Sequence, residues 1–185
     1  MAWFFDHDNK ANKVSIKDLS TRVEDAFASS SFIWVHLDYE NTTSSDIVKL
    51  LRLGKEAQTT LLSQTTRPRF EPVGNDSYLL VLRGVNLIDP ENPHDMISLR
   101  CFVSKDIIVT TGRRQLKTIT EISQDIETGK KEYANSQELC ADIVRILSEK
   151  MAPVFNEIED EIDDFELNNL NNENHANKLA QRKEI

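Results

Sequence analysis

From Ser136 to about Asn168 the residues Cys140, Ile143, Val144, Leu147, Met151, Phe155, Ile158, Ile162 and Phe165 recur at steps of three and four. Only an α-helix brings such positions onto one side, so the spacing predicts one long helix with an apolar seam. Pro153 removes a backbone donor and crowds the preceding turn, which predicts a kink and no full stop. A seam of this length needs a neighbour. The asparagine-rich "NNLNNEN", residues 168–174, is the expected turn, and "HANKLAQRKEI" from His175 begins an antiparallel partner helix. Leu179 and Ile185 still lack a packing partner, so this reads as the opening of a longer helix in a longer chain.

The same helix carries "FNEIEDEIDDFE", Phe155 to Glu166, with seven carboxylates and no basic residue in twelve positions. Phe155, Ile158, Ile162 and Phe165 take the seam, and the acids take the other faces. Glu157/Glu161, Glu159/Asp163 and Asp160/Asp164 are like-charge i,i+4 pairs, each costing ~0.2–0.5 kcal/mol on an exposed helix. Two readings stay open from the residues: a solvated helix face, or a diffuse cation-attracting surface. A tight site is disfavoured, because helical spacing alone cannot wrap six oxygens around one ion.

The formal net charge of −9 repels phosphate backbones, so the composition argues against nucleic acid and allows cations as partners. The longest uninterrupted apolar runs, such as "YLLVL" at Tyr78–Leu82, fall far short of the ~20 residues of a membrane helix. "MAWFFDHDNK" is too short in its apolar part for a signal segment and is followed at once by acids. Cys101 and Cys140 form no CxxC and no disulfide framework, which points to reduced core thiols in a cytosolic setting.

The first two thirds of the chain alternate strand and helix signals. "AWFF" and "KVSI" predict short strands around the turn "DHDNKAN", and "LSTRVEDAF" a helix with Leu19, Val23 and Phe27 on its buried side. "SFIWVHLD" predicts a buried strand. "TSSDIVKLLRLGKEAQTTLL" predicts a helix capped by Ser44 or Ser45, with a stripe at Ile47, Leu50, Leu51 and Leu61 and a break near Gly54. "RFEPV", "SYLLVLRGVNL", "MISLRCFV" and "DIIVTT" follow as strands, the last two joined by "SKD" as an antiparallel hairpin. Arg114–Thr128 predicts a helix stopped by Gly129. The expected fold is of the α+β or α/β class: a mixed, largely antiparallel sheet packed with helices over 1–135, then an acidic helical hairpin over 136–185.

Candidate chemistry is sparse. His36 and Asp38 share one strand face with Trp34, so they are either the start of a metal site completed elsewhere or a hydrogen-bonded structural pair. Asp6-His7-Asp8 reads as a solvated turn, and His94 and His175 carry no pattern. Arg67 and Arg69 flank Pro68, an arrangement that fits an anion or the ion pairs that open a strand. No Ser-His-Asp order, Gly-rich phosphate loop or HExxH appears, and the reading is of a protein without enzymatic chemistry.

Taken in order, "WVHLDY", "LLSQTTRPRF", "YLLVLRGVNL", "MISLRCFVSKDIIVTTGRR" and "MAPVFNEIEDEIDDFE" resemble the cytoplasmic domain of the CorA family of divalent-cation transporters, and its bacterial ZntB-type zinc-transporting branch most of all. The resemblance runs from Trp3 to Ile185. It implies an α/β/α domain, a pair of acidic helices, a stalk and two membrane helices, assembled as a homopentamer around a pore on the cytoplasmic face of the inner membrane. The stalk, membrane helices and the family's Gly-x-Asn loop are not in this sequence. On the resemblance, Glu157, Glu159, Asp160, Glu161, Asp163, Asp164 and Glu166 act as a diffuse attractor of Zn²⁺ or Mg²⁺, the transported or regulatory ion, with no resident cofactor. The isolated 185 residues are then expected to be a monomer or a non-native dimer. The rival reading is a free-standing metal-responsive or adaptor domain that binds partner proteins through its acidic helices.

Overall fold

The computed structural model describes residues 1–29, 31–64, 67–85, 96–113 and 116–181, with side chains described as far as residue 167. His94, the start expected for a helix at Arg114, and the last four residues lie outside the described residues. Contacts divide the chain into two compact units, one ending at Ser148 and the other beginning at Glu149.

In the first unit seven strands form one sheet in the order β2-β1-β3-β7-β6-β5-β4. They are β1 (Ala2–Phe5), β2 (Ala11–Lys13), β3 (Phe32–Asp38), β4 (Arg69–Pro72), β5 (Tyr78–Val85), β6 (Met96–Val103) and β7 (Ile107–Gly112). Only the central β3–β7 pair is parallel, so the sheet is mixed and largely antiparallel, as expected. Strand alternation splits the apolar residues between two faces. Ile33, Val35, Leu37, Leu79, Phe102 and Val109 pack under α1 (Leu19–Ala28), α2 (Ser44–Leu50) and α3 (Lys55–Leu62). Trp3, Phe5, Trp34, Leu99, Cys101 and Ile108 pack under α4 (Lys117–Glu127) and the start of α5 (Ser136–Gln181). The fold is therefore α/β/α.

One row of side chains crosses the first face. Arg69 pairs with Val81, Val81 with Arg100, Arg100 with Thr111, and Thr111 with Leu37. The C-terminal end of α3 lies over this row, where the Thr111 hydroxyl donates to the Leu61 carbonyl at 2.6 Å.

Several local expectations shift. β2 forms at Ala11–Lys13, earlier than the expected "KVSI", because the Asp6 carboxylate accepts the N–H groups of Asp8 and Lys10 and Asn9 takes φ +62°, which closes the turn early. In α1 the buried residues are Leu19, Val23 and Ala26, while Phe27 is exposed. An eight-residue step overshoots two helical turns, and Ala26 fits closely where a phenylalanine would not. Ser44 is no cap: Thr43 precedes α2, and the buried Ser44 hydroxyl donates to the Asp38 carbonyl at 2.6 Å. Leu50 is exposed although Ile47, Leu51 and Leu61 are buried. Gly54 caps the start of α3. Gly129, at φ +67°, ends α4 in the left-handed conformation expected of it.

The largest correction concerns the expected hairpin. α5 continues through residues 168–174 to Gln181, with no turn and no separate partner helix. Pro153 lies inside it without stopping it. No glycine or proline follows Pro153, and an asparagine costs a helix only a few tenths of a kcal/mol, so nothing local forces a break. The start of α5 belongs to the core through Leu139, Cys140, Ile143 and Leu147. The sequence-based division at residue 135 marks where α5 begins, whereas packing divides the chain one third of the way along that helix. Among the described residues no helix is long and apolar enough to cross a membrane.

Candidate functional site

The acidic segment of α5 sits in the second unit. All of residues 155–167 are exposed, including Phe155, Ile158, Ile162 and Phe165 of the seam. Glu157, Glu159, Asp160, Glu161, Asp163, Asp164 and Glu166 stand on the remaining faces, and among the described residues none of them is in an ion pair. Elsewhere the exposed acids of this protein regularly meet a basic partner, as Glu24 meets Arg52 at 2.8 Å and Asp25 meets Arg22 at 3.2 Å. The acidic helix is thus the densest run of acids without an ion pair among the described residues. Charge of one sign left uncompensated sets up a potential that reaches over a Debye length of about 8–10 Å.

His36 and Asp38 occupy the same face of β3, at its C-terminal end. The hydroxyl of Thr110 on neighbouring β7 accepts the indole N–H of Trp34 at 3.0 Å and lies 2.9 Å from His36 Nδ1. The Thr110 hydroxyl thus serves both rings, and it donates to or accepts from Nδ1 according to the imidazole tautomer. Burial, helped by the nearby amino terminus and opposed by Asp38, lowers the His36 pKa to about 4. The Met1 ammonium donates to the His36 carbonyl at 2.9 Å. Asp38 Oδ1 accepts the Glu40 N–H at 2.9 Å, which fixes the turn after the strand. Among the described residues no group of three or more His, Cys, Asp or Glu side chains gathers at metal-binding distances. His36 and Asp38 are brought to one face, and among the described residues no third ligand of those types joins them.

The remaining sequence candidates separate. His7 and Asp8 are exposed 3.6 Å apart in the β1–β2 turn. Cys101 and Cys140 are buried free thiols, and burial pushes both pKa values up, which makes them poor nucleophiles. Arg69 Nε donates to Glu71 Oε2 at 3.1 Å, and its Nη2 donates to Thr60 Oγ1 at 3.3 Å, so part of this arginine serves the start of β4.

Two clusters were not foreseen. Asp142 on α5 accepts from Lys131 Nζ and Tyr133 Oη at 2.7 Å each through Oδ2, and from Arg145 Nε at 3.1 Å through Oδ1. Burial alone raises its pKa, but these three donors outweigh that and hold it at about 2. This clamp ties α5 to the loop before it. The second is Arg100, a fully buried arginine in β6 whose side-chain nitrogens have no hydrogen-bond partner among the described residues. Its signal in the sequence is a lone cation inside the apolar run "ISLRCFV".

Comparison with known proteins fits this arrangement. Residues 29–185 match the family model described as CorA-like Mg2+ transporter protein. The divalent cation transporter CmaX of Pseudomonas aeruginosa is 34% identical over 106 residues, covering 57% of this chain and 32% of that protein. The zinc transport protein ZntB of Vibrio parahaemolyticus is 30% identical over 117 residues, covering 62% of this chain and 36% of that one. The chain thus spans about a third of the length of these relatives. In structure, the full-length CmaX protein matches with a TM-score of 0.73 at 24% identity, over 88% of this chain and 49% of that chain. The cytoplasmic domain of ZntB from Vibrio parahaemolyticus matches with a TM-score of 0.68 at 20% identity, over 88% of this chain and 64% of that one. The strand order, the placement of helices on both faces and the family match over most of the sequence agree: the chain belongs to the family of CorA-like Mg2+ transporter proteins.

Proposed function

We propose that these residues are the cytoplasmic part of a CorA/ZntB-like transporter of divalent metal ions, with zinc as the favoured cargo, and that the acidic segment of α5 concentrates the ion near the pore. The observation that carries the role of α5 is its uncompensated charge: seven exposed carboxylates without an ion pair among the described residues. A negative potential of about one kT per unit charge enriches a divalent ion roughly sevenfold, and potentials of this order are usual over dense surface charge. Ligands that stripped the ion's water and held it would slow its passage, so a diffuse field suits this task better than a tight site. Zinc is favoured over magnesium because several relatives are named as zinc transport proteins.

In this reading the protein continues beyond residue 185 into membrane-spanning segments and works as a homopentamer, with the exposed seam of α5 covered by helices of the assembly. The 185 residues alone are then a monomer or a non-native dimer, and a stable pentamer in sedimentation would contradict that. The functional test uses the full-length protein in liposomes with a zinc-sensitive dye inside. Changing the seven acids to Gln or Asn is expected to slow Zn²⁺ flux several-fold at low ionic strength, with the gap closing in about 0.5 M salt as screening shortens the field. Absence of both Zn²⁺ and Mg²⁺ flux in the unmodified protein would reject the transporter reading. An unchanged rate in the neutralised variant would reject the role given to α5.

A further inference from the structure

The root of α5 is held at three places. Ser136 Oγ donates to the Ser104 carbonyl in the turn between β6 and β7. Asp142 accepts from Lys131, Tyr133 and Arg145. Leu147 reaches so close to Gly84 on β5 that a Cβ added there would lie 2.7 Å from Leu147 Cδ2. Leu147 is also the last buried residue of the helix, and every side chain from Ser148 to Leu167 is exposed or half-buried.

Directly after this last anchor, two residues weaken the backbone ladder. Ser148 Oγ donates to the Val144 carbonyl at 2.9 Å. In an α-helix that carbonyl is also the acceptor of the Ser148 backbone N–H. A hydroxyl that shares the carbonyl four residues back loosens the turn and bends the helix. One turn and a half later, Pro153 has no N–H to give to the carbonyl four positions before it, and its ring crowds that carbonyl. Proline also pushes the residue ahead of it, Ala152, away from helical dihedrals. α5 holds no other proline and no glycine, so these are its two intrinsic weak points. The chain's internal contacts separate at the same place, between Ser148 and Glu149.

We propose that α5 carries a hinge at residues 148–153, about which its acidic segment bends while its root stays fixed on the sheet. A fixed kink needs side chains packed on both sides of it to hold one angle. Past Leu147 no side chain of the described residues is buried, so nothing in the chain selects a single angle. All seven carboxylates from Glu157 to Glu166 lie beyond the hinge. Bending therefore redirects the negative potential as one body and leaves the core packing of Leu139, Cys140, Ile143 and Leu147 untouched. The hinge does not rest on the transporter reading and stands whichever ion the protein handles.

Pulsed dipolar electron paramagnetic resonance on the 185-residue chain measures the bend directly. Ala141→Cys and Glu159→Cys put nitroxide labels at two exposed positions 18 residues apart. That is five full turns, so a straight helix holds them on one side at about 27 Å. Native Cys101 and Cys140 are buried and stay unlabelled in the folded protein, and dilution with unlabelled chain removes distances between copies. A broad distance distribution is expected. Combining Ser148→Ala with Pro153→Ala repairs the ladder and is expected to collapse the distribution to one narrow peak near the straight-helix distance, about 27 Å. A narrow peak without those two changes overturns the proposal: at that distance α5 is a rigid rod, and at a shorter one it is a fixed kink. An equal width in the repaired helix overturns it as well. Amide hydrogen exchange reads the same hinge without labels. Residues 149–157 are expected to exchange at least about tenfold faster in the parent than in the repaired helix, with Leu139–Leu147 equal in both. Equal rates over 149–157 overturn the hinge even if the labelled chains fail to fold.

Discussion

Acid should loosen the clamp by which Asp142 ties α5 to the loop before it, and the effect can be sized. The carboxyl titrates at 3.8 in an unstructured chain and at about 2 in the fold. Its side chain is 15% exposed, while its partners Lys131 and Arg145 are 27% and 53% exposed, so solvent screens part of the clamp. A folded pKa below the unfolded one means that the carboxylate form is the stabilised form. The contribution is fully present above the unfolded value and is lost as pH falls through the folded value. With allowance for the solvent around Lys131 and Arg145, the difference corresponds to about 2 kcal/mol at pH 7 and to roughly half of that at pH 3. The perturbation is Asp142→Asn, which keeps the shape and removes the charge. Urea unfolding followed by the fluorescence of the buried Trp3 and Trp34 gives the stability of both proteins. The gap between parent and variant is expected to shrink by about 1 kcal/mol from pH 7 to pH 3. Because both proteins retain every other titrating group, those contributions cancel in the difference. A gap that stays constant across this range would refute the assignment of the clamp to the ionised carboxylate.

Three further outcomes follow from the geometry. Gly84→Ala places a Cβ 2.7 Å from Leu147 Cδ2 and 3.3 Å from Leu116 Cδ1, so a loss of about 1–3 kcal/mol in thermal or urea unfolding is expected, and a second change, Leu147→Ala, should lessen the penalty of the first. His36, lowered by burial from 6.5 to about 4, binds its proton less readily folded than unfolded. Its contribution is therefore complete above pH 6.5 and is lost on acidification towards pH 4; His36→Gln should flatten the stability profile across that window by about 2–3 kcal/mol. Changing Glu161, Asp163 and Asp164 to their amides relieves three like-charge pairs on α5, so helicity by circular dichroism should rise at low salt and the gain should fade as salt is added.

Much of the architecture is legible in the sequence, because strand and helix periods are set by residues a few positions apart. β3, β6 and β7 are nearly continuous apolar runs, and a short loop between β6 and β7 leaves little choice but a hairpin. What the sequence hides are outcomes decided by competition with distant groups. Ser44 looks like a cap until the Asp38 carbonyl takes its hydroxyl. Phe27 looks buried until Ala26 proves the better fit against the sheet. Asn-rich residues 168–174 look like a turn, yet asparagine permits a turn without requiring one, and the helix continues. The exposure of the acidic residues is readable from the sequence, since neighbouring like charges on a helix need no tertiary knowledge. Arg100 was not, because a lone arginine in a strand shows its cost only when the fold reveals that no acceptor comes to meet it.

The parallel pair at the centre of the sheet constrains the order in which the protein can be made. β1, β2 and α1 can gather on β3 as soon as they are synthesised, since their contacts are local. The other edge of β3 has to wait for β7, because Ile33 pairs with Ile107 and Asp38 with Gly112. Until that late segment leaves the ribosome, Phe32, Ile33, Trp34 and Val35 present an unpaired and strongly apolar strand edge. Closing such a long loop carries an entropic cost that local contacts do not, so the two halves of the sheet join late and together. Nascent chains released before residue 112 would carry that open edge with nothing to cover it, and would be natural clients of a chaperone.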